Sequence, residues 1–483
     1  MGPDQSIIKR ICLFLGPALA GILVLQGPPD GLSVPAWATG ALLIWMAIWW
    51  ATEPVPIPVT SLLPIVILPL FDVASPKEVA SGYAHHIVLL LFGGFLIALG
   101  IEKWGLHKRI ALAIVVRIGT SPRALIAGFM IATAVLSMWI SNTATTLMMV
   151  PIAISAAAAL RDDTGRFITA LLLGICYAAS IGGVGTPIGT PTNLIAIDWL
   201  YRETGNSIGF PQWMAFGIPA VGLLLPAAWW GVSRKITNIA DGPAILAAIQ
   251  TERKNLGRMT AAEARVAILF GIVAFLWVNR IWLVDWADAA GWPVLAGYSG
   301  AQIDMMIAVG GAVAAFIIPA GQPSGRALLT WQEAERIPWG VLLLFGGGIA
   351  MGNSIRETGL SEWIGLQMGI LSTLPTVFFI MTIVLLVIFL TELTSNVATM
   401  TTLAPILGTL ATAIDAPHAS LLAPAAVAAS CAFMLPVATA PNAIIYATGQ
   451  VSMGQMMSNG LRINLIAVLV ISAIGLWLAP LVL

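Results

Sequence analysis

Apolar stretches long enough to cross a bilayer recur near residues 11–27, 35–51, 55–71, 87–102, 166–200, 214–233, 264–283, 303–319, 338–355, 420–448 and 462–482. Two further apolar segments, 123–160 and 375–412, are too long for one span and carry polar clusters at their centres. The first holds "SNTATT" (141–146), the second "TELTSNVAT" (391–399). A re-entrant hairpin in each, entering and leaving on one side, accounts for both, because non-helical backbone at membrane depth needs protein or a water-filled cavity around it. The pattern predicts an all-α polytopic membrane protein of about 11 transmembrane helices plus two re-entrant hairpins.

The positive charges test that arrangement. With an inner N-terminus, eighteen of the 22 Lys and Arg fall on the cytoplasmic side and only Lys77, Arg202, Arg280 and Arg356 fall outside. This is the bias of the positive-inside rule, and counting either hairpin as a full crossing would destroy it. The count places the N-terminus in the cytoplasm and the C-terminus outside, in the cell (inner) membrane. The stretch 102–118 mixes charges with apolar residues at helical spacing and reads as a helix along the inner surface. Lys9 and Arg10 precede an apolar run without a clear small-x-small cleavage site, so the first segment reads as an uncleaved helix.

Composition agrees. The chain is 59% hydrophobic and 9% charged, too little charge to cover a water-facing surface. Twenty-two basic residues balance 22 acidic ones, which gives no sign of a nucleic-acid partner. Cys12, Cys176 and Cys431 lie in apolar runs without metal or redox spacing.

The two halves repeat each other at four places in the same order. "LLFGGFLIALG" (90–100) answers "LLFGGGIAMG" (343–352), and "EKWGL" (102–106) answers "RETGL" (356–360). "SMWISNTAT" (137–145) answers "TELTSNVAT" (391–399), and "GTPTNLI" (189–195) answers "ATAPNAI" (438–444). The first hairpin opens from the cytoplasm and the second from outside, so the repeat is inverted. Inverted repeats with broken helices are the mark of secondary transporters, whose sites lie between the repeats.

Each half thus supplies a Ser-Asn hairpin tip and a helix interrupted at Pro-Thr-Asn or Pro-Asn. Hydroxyls, Asn carbonyls and unwound backbone carbonyls suit sodium, while hydroxyls, Asn amides and half-helix N-termini suit an anion. No Lys or Arg stands near either motif in the sequence, so a bound anion would lean on neutral donors and neighbouring cations. Isolated Ser and Thr often only join membrane helices; two matched clusters at hairpin tips argue against that reading here.

The paired SNT/SNV hairpins, each with its Pro-Asn-type break, together with "WWATEPVPIPVTSLLP" (49–64), resemble the divalent anion/sodium symporter family over essentially the whole chain. The resemblance implies an elevator-type homodimer and sodium-coupled import of a divalent anion, a C4 dicarboxylate or citrate. It implies scaffold parts at 1–122 and 234–374 and transport parts at 123–233 and 375–483. By matching motifs, one sodium site would use Ser137, Ser141, Asn142 and the Gly189 carbonyl. The other would use Thr391, Thr394, Asn396 and the Ala438 carbonyl. Substrate would meet Ser141, Asn142, Thr143, Ser395, Asn396 and Thr439, with Val397 standing where bacterial relatives carry a second Thr. That substitution, and Ala440 in place of Pro, leave a bulkier substrate or sulfate open. A sodium-independent dicarboxylate exchanger of the same fold is the alternative.

Glu392, inside the second hairpin, either tunes sodium affinity, carries a proton or satisfies nearby backbone. His85 and His86 read as solvated or interfacial residues at an outer helix end, and Glu53 as a helix cap. "GGVGTPIG" (182–189) lacks the Lys-Ser/Thr ending of a phosphate loop. An enzyme is not expected, since the spans hold no nucleophile–base pair and no metal-ligand set.

Overall fold

The computed structural model describes residues 3–118, 121–158, 165–236, 242–292, 295, 297–321, 325–367 and 375–483. Arg161, one of the basic residues in the inner count, lies outside them. The described chain is helical throughout, save one isolated bridge between Pro319 and Ala327. Eight of its helices are long and apolar enough to cross a membrane.

Three of the eleven expected spans are missing from those eight, each for a local reason. The 55–71 stretch forms two short helices, Ile57–Thr60 and Leu63–Leu70, interrupted where its prolines remove backbone donors. The helix Trp339–Glu357 is long enough, but its glycines and the run Asn353-Ser354 before Arg356 and Glu357 dilute its hydropathy. The 420–448 stretch is broken into Ala419–Ala429 and Ala440–Ala447. The 166–200 stretch is broken in the same way, into Arg166–Gly183 and Pro191–Thr204.

Both hairpins form as helix–turn–helix pairs. The first is Pro122–Ser137 and Asn142–Ala158, the second Thr376–Thr391 and Asn396–Ala413. At 1.5 Å per residue the arms reach only roughly 24–27 Å, short of a ~30 Å hydrocarbon core. Ser121 starts the first hairpin by accepting the Ala124 N–H, with Pro122 at the first helical position.

The hairpins and broken helices occupy the enclosed centre. Of the Arg166–Gly183 helix 89% is buried, against 11% of the first apolar helix, Lys9–Gln26. That burial needs close backbone approach: a Cβ on Gly182 would fall onto the Ala134 backbone of the first hairpin. The 102–118 stretch forms a helix over Leu106–Ile118 that buries Leu106, Ala111, Leu112 and Val115 and exposes Lys108 and Arg117.

Candidate functional site

The first hairpin arm ends at Ser137, fully buried, with its hydroxyl 2.6 Å from Asn142 Oδ1 and 2.7 Å from the Ala179 carbonyl. A hydroxyl carries one proton, so it can serve only one of these two acceptors at a time. The cluster is therefore rich in oxygen and short of hydrogen. Gly189 O lies close by: a Cβ on Gly183 would stand 2.8 Å from Asn142 Oδ1 and 3.1 Å from that carbonyl. Glycine at 183 is what lets these oxygens approach each other.

The second half rebuilds this arrangement. Thr391 Oγ1 lies 2.8 Å from Asn396 Oδ1 and 2.9 Å from the Ala429 carbonyl. In the corresponding places of the repeat, Ala432 and Ala438 replace Gly183 and Gly189.

Each break is held by the asparagine that follows its proline. Asn193 Nδ2 donates to the carbonyls of Gly183 (2.9 Å) and Thr186 (2.7 Å). Asn442 Nδ2 donates to those of Ala432 (2.9 Å) and Leu435 (2.8 Å). These bonds satisfy carbonyls that the interrupted helices leave free. Asn442 Oδ1 also accepts the Cys176 thiol at 2.7 Å, whereas the buried Asn193 Oδ1 has no partner.

Both tips and both breaks face one cavity of about 1000 Å³. Ser141, Asn142, Thr143, Ser395, Asn396, Val397 and Thr439 all line it, as do Gly189, Ala438 and Thr394. Four helices begin at its wall, at Asn142, Pro191, Asn396 and Ala440. Their N-terminal amides and dipoles favour negative charge there. The Ser395 hydroxyl makes no cap hydrogen bond, leaving it available to a ligand. Ser141 Oγ accepts the Ala144 N–H and Thr439 Oγ1 accepts the Asn442 N–H. Thr394 Oγ1 meets Thr399 Oγ1 (2.5 Å) and the Leu390 carbonyl (3.0 Å), not the Thr391–Asn396 pair. Ser137 and Thr391 stand behind the cavity wall, joined to it through Asn142 and Asn396.

Among the described residues, three charged ones reach the same cavity: Lys9, Glu53 and Arg336. The sequence placed no Lys or Arg near the motifs; folding brings these two from the first helix and from just ahead of Trp339–Glu357. Distances along the chain could not disclose them. Glu53 does end a helix, Val34–Thr52, through its own left-handed backbone (φ 47°) and N–H, and it also lines the cavity. The Ala179 and Ala429 carbonyls were also invisible in sequence, since any residue offers a carbonyl.

Glu392 is fully enclosed. Its Oε1 accepts from Phe433 N (2.8 Å), Met434 N (2.9 Å) and Asn464 Nδ2 (2.8 Å), and its Oε2 from Met434 N (3.1 Å) and Leu435 N (3.0 Å). Of the readings open at the sequence level, satisfying the broken backbone is the one this geometry displays. Its counterpart in the first half is Met138, whose carbonyl accepts the Thr186 hydroxyl. The rings of His85 and His86 lie against each other with centroids 4.0 Å apart, tilted by 39°. His85 is not a solvated end residue, because its Nδ1 is buried and lies 3.9 Å from Asp198 Oδ1.

Comparison with known proteins bears on this site. Residues 8–483 match the family model described as the sodium:sulfate symporter transmembrane region. The chain is 39% identical over 492 residues to the sodium-dependent dicarboxylate transporter SdcS of Staphylococcus saprophyticus, covering 99% of this chain and 92% of that one. The SdcS of Staphylococcus aureus strain MRSA252 is also 39% identical, over 98% of this chain and 92% of its own. Among solved structures, the YdaH transporter of Alcanivorax borkumensis superposes with a TM-score of 0.56 at 16% identity, over 99% of this chain and 98% of that one. At that identity the likeness concerns the fold alone.

Proposed function

The chain belongs to the sodium:sulfate symporter family, and on that premise we propose that it couples inward sodium movement to import of a dicarboxylate. The observation that carries the reading is the duplicated oxygen cluster, Ser137–Asn142–Ala179 and Thr391–Asn396–Ala429, flanking one cavity. In this reading one sodium ion is bound by Ser137, Ser141, Asn142 and the Gly189 carbonyl. A second is bound by Thr391, Asn396 and the Ala438 carbonyl, with Thr394 turning from Thr399 to join them. The dianion is gripped by Ser141, Asn142 and Thr143 from one tip and by Ser395 and Asn396 from the other, beside Val397 and Thr439. A C4 dicarboxylate is the leading candidate, with citrate next.

Coupling follows from electrostatics. Sodium in each cluster would be coordinated by the neutral oxygens behind the tips and present positive charge to the carboxylates, which otherwise find only dipoles and neutral donors. Residues 123–233 and 375–483 would move as a transport unit against a scaffold of 1–122 and 234–374. The cavity wall carries Lys9 and Arg336, both expected on the cytoplasmic side by the positive-inside pattern, which favours an inward-open state. An inner N-terminus, an outer C-terminus and a homodimer complete the proposal.

Uptake of labelled succinate into proteoliposomes, with and without an inward sodium gradient, tests it. Uptake should require sodium and be competed by malate and, more weakly, by citrate. Sodium-independent uptake that needs internal dicarboxylate would identify an exchanger instead, and competition by sulfate alone would overturn the substrate.

A further inference from the structure

Far from the cavity mouth, a cluster of charged groups joins the first broken helix to Trp339–Glu357. The latter helix runs from beside Arg336, at the cavity, to Asn353 and Arg356, so these residues lie roughly 20–25 Å farther along it at 1.5 Å per residue. There Arg202 Nε donates to Asp198 Oδ2 at 2.7 Å, both side chains being at least 93% buried. Arg202 also donates to Asn353 Oδ1, and Arg356 donates to the Arg202 carbonyl at 3.2 Å. His85 approaches Asp198 from the other flank. The backbones meet closely, since a Cβ on Gly352 would stand 2.8 Å from the Trp199 ring.

How the charges are divided matters. Asp198 and Arg202 sit on one helix, so the ion pair stays intact if that helix moves away. Among the described residues, the hydrogen bonds between this cluster and Trp339–Glu357 each have a neutral group on one side, the Asn353 amide or the Arg202 carbonyl. A joint with opposite charges on its two sides would strand buried charges on opening, at a cost of several kcal/mol. This one would not, and Arg356 is already exposed. A second contact follows the same plan. Arg280 pairs with Asp304 at 2.7 Å, and the neighbour it faces from residues 123–233 is the Gly209 backbone, where a Cβ would overlap the guanidinium.

We propose that Asp198–Arg202, clasped by Asn353 and Arg356, is a reversible latch that holds the transport unit in its inward-open position and releases when the site turns outward. This rests on the moving-unit reading of the proposed function. It also accounts for the sparse outer charge: of Lys77, Arg202, Arg280 and Arg356, three belong to these two contacts.

The test uses the full chain in proteoliposomes with a Cys12→Ser background, since Cys176 and Cys431 are buried. A reporter, Val437→Cys, lies in the cavity wall and is 76% exposed. An impermeant maleimide applied from either side reports which way the cavity faces. Asn353→Ala and Arg202→Gln should raise outer-side labelling by at least about tenfold and lower inner-side labelling, the loss of one charge-assisted hydrogen bond across the joint. Gly352→Ala, which wedges the helices apart without removing a polar group, should do the same and covers the case in which Arg202→Gln fails to fold. Glu203→Gln, on the same helix but paired at 3.6 Å with His418 of the same proposed unit, should change nothing. Unchanged sidedness in both Asn353→Ala and Gly352→Ala, with transport active, overturns the latch alone. Inner-only labelling of the otherwise unmodified reporter protein at every sodium concentration, while uptake proceeds, overturns the moving-unit reading and the latch with it.

Discussion

The two halves place the same three oxygens in the same relation but hold them differently. Ser137, Asn142 and the Ala179 carbonyl in one half answer Thr391, Asn396 and the Ala429 carbonyl in the other, with separations agreeing within 0.2 Å. In the first half the break is brought near by glycine, at Gly183 and Gly189, and pinned by a neutral hydroxyl, Thr186 to Met138. In the second half alanines occupy both glycine positions, and a carboxylate, Glu392, gathers three successive backbone amides. The cluster is what the repeat preserves; its support is free to differ between close packing and buried charge.

Removing that charge should have the largest effect. Glu392→Ala leaves the buried amide of Phe433 and the half-buried amides of Met434 and Leu435 without their acceptor, at up to about 1–3 kcal/mol for the buried one. The expected result is a fall in melting temperature of the detergent-solubilised protein and loss of uptake. Met138→Ala, its counterpart, should keep most of both, because its polar contact is through the backbone.

Next come Asn142→Ala and Asn396→Ala. If the clusters are equivalent, each should weaken sodium activation of succinate uptake by at least about tenfold, one charge-assisted contact being lost. A strong effect from one and none from the other would break the equivalence. Val397→Thr restores to the second tip the hydroxyl found at Thr143. It should lower the concentration of succinate needed for half-maximal uptake by roughly threefold to tenfold, and favour succinate over citrate in competition. The smallest change is Cys176→Ala. It removes the thiol from Asn442 Oδ1 and leaves that atom unpartnered, as Asn193 Oδ1 is; sodium affinity should shift by less than about fivefold, the worth of one neutral hydrogen bond.

Much of this was legible in sequence because each feature has a local signature. Hairpins too long for one span, prolines at the breaks and four matched segments announced the hairpins, the broken helices and their pairing. Asn193 and Asn442 stand inside matched segments of the repeat, although their task of holding free carbonyls appears only in three dimensions. The remainder depends on contacts between distant segments. Lys9 and Arg336 reach the cavity across more than three hundred residues of sequence, and Ala179 and Ala429 act through carbonyls that no side chain marks. His85 looked like a surface residue because its neighbour, Asp198, comes from another part of the chain.

Apart from Glu392, the tips and breaks contain no acidic or basic side chain, and this has an electrical consequence. Glu392, held by backbone amides, would travel out and back in every cycle and cancel. The charge transferred per cycle would then be that of the cargo alone. A dianion with one sodium in each cluster is electrically silent, so any steady current in a voltage-clamped membrane counts the cations carried beyond two.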